Sequence, residues 1–134
     1  MTKLIKALRN DHRVILLLLK KSGATNLTSK EREAFLITVK TLLNQHLAIE
    51  DKKLYPKMNE LAADNNNVGD VVKEFSVGLE SIGSIIMNFF DNCEKNSQEI
   101  HTNSDYSKIL KLLEIRIKKE EEKLYPLFDS LVAD

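Results

Sequence analysis

One stretch of this chain occurs twice, and that repetition restricts the fold more than any other feature. His46-Leu47-Ala48-Ile49-Glu50-Asp51-Lys52-Lys53-Leu54-Tyr55-Pro56 lines up with Arg116-Ile117-Lys118-Lys119-Glu120-Glu121-Glu122-Lys123-Leu124-Tyr125-Pro126. A chain that doubles a helical segment predicts two related helix pairs burying their apolar stripes against each other. In the first copy His46 and Glu50 stand four apart, so on a helix they leave one face a turn apart, as a two-point grip on a metal. In the second copy the histidine is Arg116, whose guanidinium keeps its proton at any physiological pH and brings a fixed positive charge instead of a lone pair.

The rest of the chain reads as helix. With 4 Gly and 2 Pro in 134 residues and no alternating apolar pattern, four helix-period segments are expected and no strand. The first runs from Thr2 to Ser22 and stops at Gly23, carrying Ile5, Leu8, His12, Ile15 and Leu19 on one stripe. The second starts at Thr28, which forms a capping box with Glu31, and continues towards Ala63 with a bend or break at Pro56. A turn over Asp64-Asn65-Asn66-Asn67 leads to a third helix from about Asp70 to Asn96. After a polar loop from Ser97 to Ser104, a fourth helix runs from about Asp105 to Val132, kinked at Pro126. Four long helices on short connections predict an all-α antiparallel up-down-up-down four-helix bundle, with residues 1–134 as one domain. Aligning Ile15, Leu18 and Leu19 with Ile82, Ile85 and Ile86 places Leu79 where the first half has His12.

Composition removes several classes of function. The 20 Lys and Arg balance the 20 Asp and Glu, which argues against nucleic acid or an anionic membrane as the main partner. Cys93 is the only cysteine, so neither an intramolecular disulfide nor a cysteine metal cluster can form within one chain, and the cytoplasm is the default compartment. The apolar run Val14 to Leu19 is far shorter than a bilayer span. No nucleophile, phosphate loop or catalytic acid-base pair is visible, so no enzyme is expected.

A histidine early in the first helix, followed by His-x-x-x-Glu and Leu-Tyr-Pro, resembles the hemerythrin-like (HHE cation-binding) family over essentially the whole chain. The resemblance implies two helix pairs supplying histidines and two bridging carboxylates to a non-haem di-iron centre that binds or senses oxygen, iron or redox state. The positions that match are His12, His46, Glu50 and Glu120, and the departures are Leu79 and Arg116. Both departures fall on one iron's side, so a second iron is not expected. A guanidinium roughly 5 Å from a divalent cation opposes it by about 6 to 7 kcal/mol at an effective dielectric near 20. The same charge beside Glu50 and Glu120 stabilises them, so Arg116 is expected to point inward and replace the metal, satisfying both carboxylates through its fork, with Gly83 leaving it space.

The expectation is therefore a site with no resident cofactor, or with a single iron on the residual ligands, in a regulatory or binding module. A di-iron redox enzyme needs the second metal. A shorter motif, Arg followed by an acidic residue four on, resembles the anti-sigma regulators of the Rsd/AlgQ type and implies a transcription subunit as partner. Val14, Leu17 and Leu18 turn to a flank of the first helix and, if uncovered, form a strip for a protein partner or a homodimer. Leu54, Tyr55, Leu124 and Tyr125 read as packing at the bundle end, Met58 and Met87 as core filler, Cys93 as a buried apolar side chain, and His101 as a surface residue.

Overall fold

The computed structural model describes residues 1–63, 65–76, 80–96 and 104–132, apart from the side chains of 80–82, 93–96 and 104–105. Leu79 and His101, and the side chain of Cys93, lie outside the described residues. The described chain is helical, with no strand: α1 (Lys3–Ser22), α2 (Ser29–Ile49), a π-helical turn π1 (Glu50–Leu54), α3 (Tyr55–Leu61), α4 (Asn66–Ser76), α5 (Glu80–Asn96), α6 (Ser104–Lys119), a second π-helical turn π2 (Glu120–Leu124) and α7 (Tyr125–Val132).

Helix α1 packs on α2, α2 on α5, α5 on α6 and α6 back on α1, which closes a four-helix ring. Its direction is fixed by contacts along α1. Arg32 reaches Ser22 while His46 reaches His12, and Tyr106 reaches Leu19 while Asp129 reaches Thr2, so both neighbours of α1 run antiparallel to it.

Local chemistry sets the ends. Thr2 accepts the Ile5 N–H, and Thr28 with Glu31 completes the capping box expected for the second helix. At the other end of α1 the buried Arg32 donates to the carbonyls of Ser22 and Ala24, satisfying groups that a helix terminus leaves open. Gly23 has an ordinary negative φ, so its absent side chain matters for space: a Cβ there would lie 2.5 Å from the Tyr106 hydroxyl oxygen. The third helical segment begins earlier than Asp70. Asn65 accepts the N–H groups of Asn67 and Val68 on its side-chain oxygen, so Asn66 and Asn67 form the first helical turn of α4.

Pro56 and Pro126 each follow a π turn instead of a sharp kink. Tyr55 N–H donates to Glu50 and Tyr125 N–H to Glu120, closing five-residue turns. The wider turn draws the backbone away from the carbonyl that a proline ring would otherwise strike. Two apolar clusters result, one around Ile15, Leu19, Leu43, Phe90 and Leu113, the other around Ile5, Leu8, Leu54, Met58, Phe75 and Leu124. A polar layer made by His12, His46, Glu50, Arg116 and Glu120 is buried with them.

Candidate metal centre

Five elements deliver this layer. His12 comes from α1 between Leu8 and Ile15, His46 from the last turn of α2, Glu50 from the start of π1, and Glu120 from the start of π2 with Arg116 one turn earlier on α6. The imidazoles meet head-on, with His12 Nε2 3.1 Å from His46 Nε2. Their other nitrogens are held from outside: His12 Nδ1 lies 2.9 Å from Glu121 Oε2 and His46 Nδ1 lies 3.1 Å from Asp11 Oδ2. A carboxylate can only accept, so each Nδ1 carries a hydrogen, and a ring in its neutral form then presents its Nε2 lone pair inward. The two Nε2 atoms therefore face each other across a gap that a positive charge, a proton or a metal cation, would fill.

The carboxylates close the layer. His46 Nε2 is 3.5 Å from Glu50 Oε1, and His12 Nε2 is 3.8 Å from Glu120 Oε1. The ligand atoms of His12, His46 and Glu120 all lie within 4.8 Å of one another. Two ligands bound about 2.1 Å from a common cation stand about 3.0 Å apart at right angles and about 3.4 Å apart at the tetrahedral angle. The 3.1 Å separation of the two Nε2 atoms lies in that range. An adjoining enclosed cavity of about 10 Å³, lined by His12, His46, Gly83, Arg116 and Glu120 among others, has room for an ion or a water but for no organic substrate.

Arg116 points inward and is buried. Its Nε donates to Glu120 Oε1 at 3.3 Å, but its Nη2 stands 4.0 Å from Glu50 Oε1, which has no hydrogen-bond partner. The fork thus does not satisfy both carboxylates as expected, because Nε at the root of the guanidinium engages Glu120 and leaves the far nitrogen short of Glu50. Gly83 does give the space anticipated, since a Cβ there would lie 3.3 Å from Arg116 Nη1. Leu47, Gly83 and Arg116 also line a solvent-open cleft of about 460 Å³, so Arg116 forms part of the wall between cleft and centre.

Electrostatics follow from burial. Desolvation first, then the Glu120 charge, pushes the Glu50 carboxyl well above the usual range. Burial also acts on Glu120, yet its hydrogen bond with Glu50, the Arg116 charge and the two histidines hold it below the ordinary value, so Glu50 is the member of the pair that carries a proton. Burial first, then repulsion from His12 whenever that ring is protonated, lowers His46 and so favours the neutral form that a metal needs.

The reading of Tyr125 as end packing is incomplete. Its hydroxyl sits inside the layer, 2.9 Å from Glu50 Oε2, 3.1 Å from Glu120 Oε2, 3.2 Å from His12 Nε2 and 3.4 Å from His46 Nε2. On an α-helix, at 3.6 residues per turn, a residue five on from Glu120 is rotated about 140° away. The π turn brings it back over Glu120. Asp11, Glu121 and Arg9 were also missed. Arg9 anchors Glu121 through its side chain at 3.2 Å and its carbonyl at 3.0 Å. No periodicity marks such outer partners, because they arise where α1 meets π2, for Arg9 and Glu121, and α2, for Asp11.

The family model of the hemerythrin HHE cation-binding domain matches residues 3–128. The chain belongs to that family. No curated protein and no solved structure gives a significant match. Within this hemerythrin-like domain the residual His and Glu cluster could hold a metal, and its donor set of two imidazoles and a carboxylate fits iron as well as other first-row cations. Among the described residues no helix is long and apolar enough to cross a membrane.

Proposed function

We propose that this hemerythrin-like domain is a non-enzymatic module that holds one cation, iron by its donor set, on His12, His46 and Glu120, with Glu50 beside it, and reports or carries that ion. The observation behind the reading is the pair of Nε2 atoms converging at 3.1 Å while both Nδ1 atoms are committed to carboxylates. Bound iron would supply an oxygen- or redox-responsive centre. The protein's part is to orient the imidazoles through Asp11 and Glu121 and to exclude bulk water by burying the layer. Arg116 takes the place of the second cation by supplying charge to Glu120.

The deciding experiment is metal analysis of protein purified without chelator and again after anaerobic iron loading. One ion per chain supports the reading. Two ions, with an oxo-bridge absorption band, would restore a di-iron centre, and none would leave a metal-free regulator.

That second, metal-free reading has its own support: Tyr125 and Arg116 already give Glu50 and Glu120 protein partners. It would act through a protein partner or a second copy, and Val14 and Leu17, exposed on α1, are the surface it would use. Repeated recovery of a transcription subunit in a pull-down would favour the anti-sigma form of that reading. A cytoplasmic location accords with either.

A further inference from the structure

We infer that Tyr125 is itself a ligand of the cation, so that the centre is a phenolate site built for a hard trivalent ion, ferric iron. The inference rests on the single-cation reading and deepens it. Its basis is the crowding around one hydroxyl. The Tyr125 oxygen has four polar atoms within reach, at 2.9 Å (Glu50), 3.1 Å (Glu120), 3.2 Å (His12) and 3.4 Å (His46), and even with a proton on Glu50 three acceptors compete for it when the rings are neutral. A phenol has a single hydrogen to give and cannot satisfy Glu120 and both imidazoles together.

Exchanging that hydrogen for a cation resolves the conflict. The Tyr125 oxygen lies 3.1 to 3.4 Å from Glu120 Oε2, His12 Nε2 and His46 Nε2, and the two Nε2 atoms lie 3.1 Å from each other. Those four separations fall in the interval of about 3.0 to 3.4 Å that ligands share around one ion at bonds near 2.1 Å, while His12 Nε2 and Glu120 Oε1 at 3.8 Å would subtend a wider angle of about 130°. The phenol oxygen thus completes a four-donor set. On coordination the O–H bond breaks, the oxygen–metal bond forms and the proton leaves to solvent, with no electron transferred. Carboxylate and phenolate together are hard anionic donors, which match a trivalent ion better than a soft one.

The ring is also held in place for this task. The π turn fixes its backbone through the Tyr125 N–H to Glu120 bond, the ring stacks on His12 with centroids 5.5 Å apart, and the Arg9 guanidinium covers it at 5.9 Å. Its counterpart in the repeat behaves differently. Tyr55 lines the cleft beside Arg116, and its hydroxyl has no hydrogen-bond partner. The tyrosine that reaches the surviving histidines is engaged, and the one on the arginine side is not.

The test loads chelator-stripped full-length protein with one equivalent of ferric iron, supplied as ferric citrate, and reads bound iron, the visible spectrum and resonance Raman scattering. The expected result is one iron per chain with a broad visible phenolate-to-iron band that enhances tyrosine ring modes. Tyr125→Phe should abolish the band and weaken iron retention by at least the roughly 10- to 100-fold that loss of an outer-shell partner costs. Tyr55→Phe should leave both unchanged. If Tyr125→Phe does not fold, tyrosine ring deuteration of the unmutated protein decides, because the enhanced modes must shift. Iron bound at one per chain without the band, or a band that survives in folded Tyr125→Phe, overturns the ligation by Tyr125 and leaves the single-cation reading standing. No retained iron overturns both.

Discussion

Replacing Arg116 by methionine removes the charge and keeps an unbranched side chain of similar length, so it isolates what the guanidinium does for the buried acids. At an effective dielectric near 20, a unit charge attracts Glu120 across 3.3 Å by about 5 kcal/mol and an ionised Glu50 across 4.0 Å by about 4 kcal/mol. Those gross attractions are offset by desolvation, and breaking a buried pair by removing one partner has a net cost of about 3–5 kcal/mol. Because Glu50 is the acid more readily protonated, the Glu120 pair dominates, which places Arg116→Met at the lower end, about 3 kcal/mol. Urea unfolding in chelator at pH 7 measures it. Adding Glu120→Gln to Arg116→Met removes the stranded charge and should recover at least about 2 kcal/mol, as expected for residues in one buried network. A single variant that loses less than about 1 kcal/mol, or a double variant no better than the single, would refute the view that Arg116 is the counter-ion of Glu120.

Four further outcomes follow. In metal-free protein the folded-state pKa of Glu50 is raised, so its contribution to stability is full below the unfolded value near 4.5 and is lost as pH rises through the folded one; Glu50→Gln should gain on the parent progressively above pH 4.5 in unfolding titrations, by about 1.4 kcal/mol for each unit of the shift. Asp11→Asn and Glu121→Gln should each weaken cation binding by about 10- to 100-fold in calorimetric titration, because each loosens an imidazole without removing a ligand. Gly23→Ala should lower stability by about 1–3 kcal/mol on thermal melting, since the new methyl group displaces the Tyr106 hydroxyl from the Leu19 carbonyl. Leu79→His with Arg116→His should raise the iron content from one to two per chain; a folded double variant that stays at one would show that the repeat alignment is misplaced.

The four-helix ring was legible because its signals are local and redundant. Thr28 with Glu31, the stripe of Ile5, Leu8, His12, Ile15 and Leu19, and the scarcity of Gly and Pro all point to the same elements. His12, His46, Glu50 and Glu120 could be placed inward because they share phase with buried apolar residues of their own helices. Tyr125 could not, since helical phase assumes 3.6 residues per turn and the π turn after Glu120 inserts a residue without announcing it. The start of α4 at Asn66 was obscured for another reason: an asparagine run serves equally as a turn or as a cap, and the choice is made by the Asn65 side-chain bonds. Asp11 and Glu121 depend on which helix crosses which, a relation that spacing within one helix does not contain.

The replacement of histidine by arginine in the second repeat has a consequence for the first. A buried layer with two carboxylates and no second cation would drive both acids towards protonation, and Glu120 would then lose its value as an anionic ligand. Arg116 prevents this for one of them. The hydrogen bond with Glu50 and then the Arg116 charge, its Nε at 3.3 Å, hold Glu120 low, while Glu50, 4.0 Å from Nη2, is the acid more readily protonated. The arginine therefore divides the roles of the two acids. Glu120, His12 and His46 keep the charge and lone pairs that a cation needs, and Glu50 with its proton no longer bridges to a second one. A lysine at position 116 would not do the same: its single ammonium head lacks the Nε that sits at the root of the fork, beside Glu120, and would seek the more central Glu50. Arg116→Lys should accordingly shift charge from Glu120 to Glu50 and weaken binding of the first cation, although net charge is unchanged.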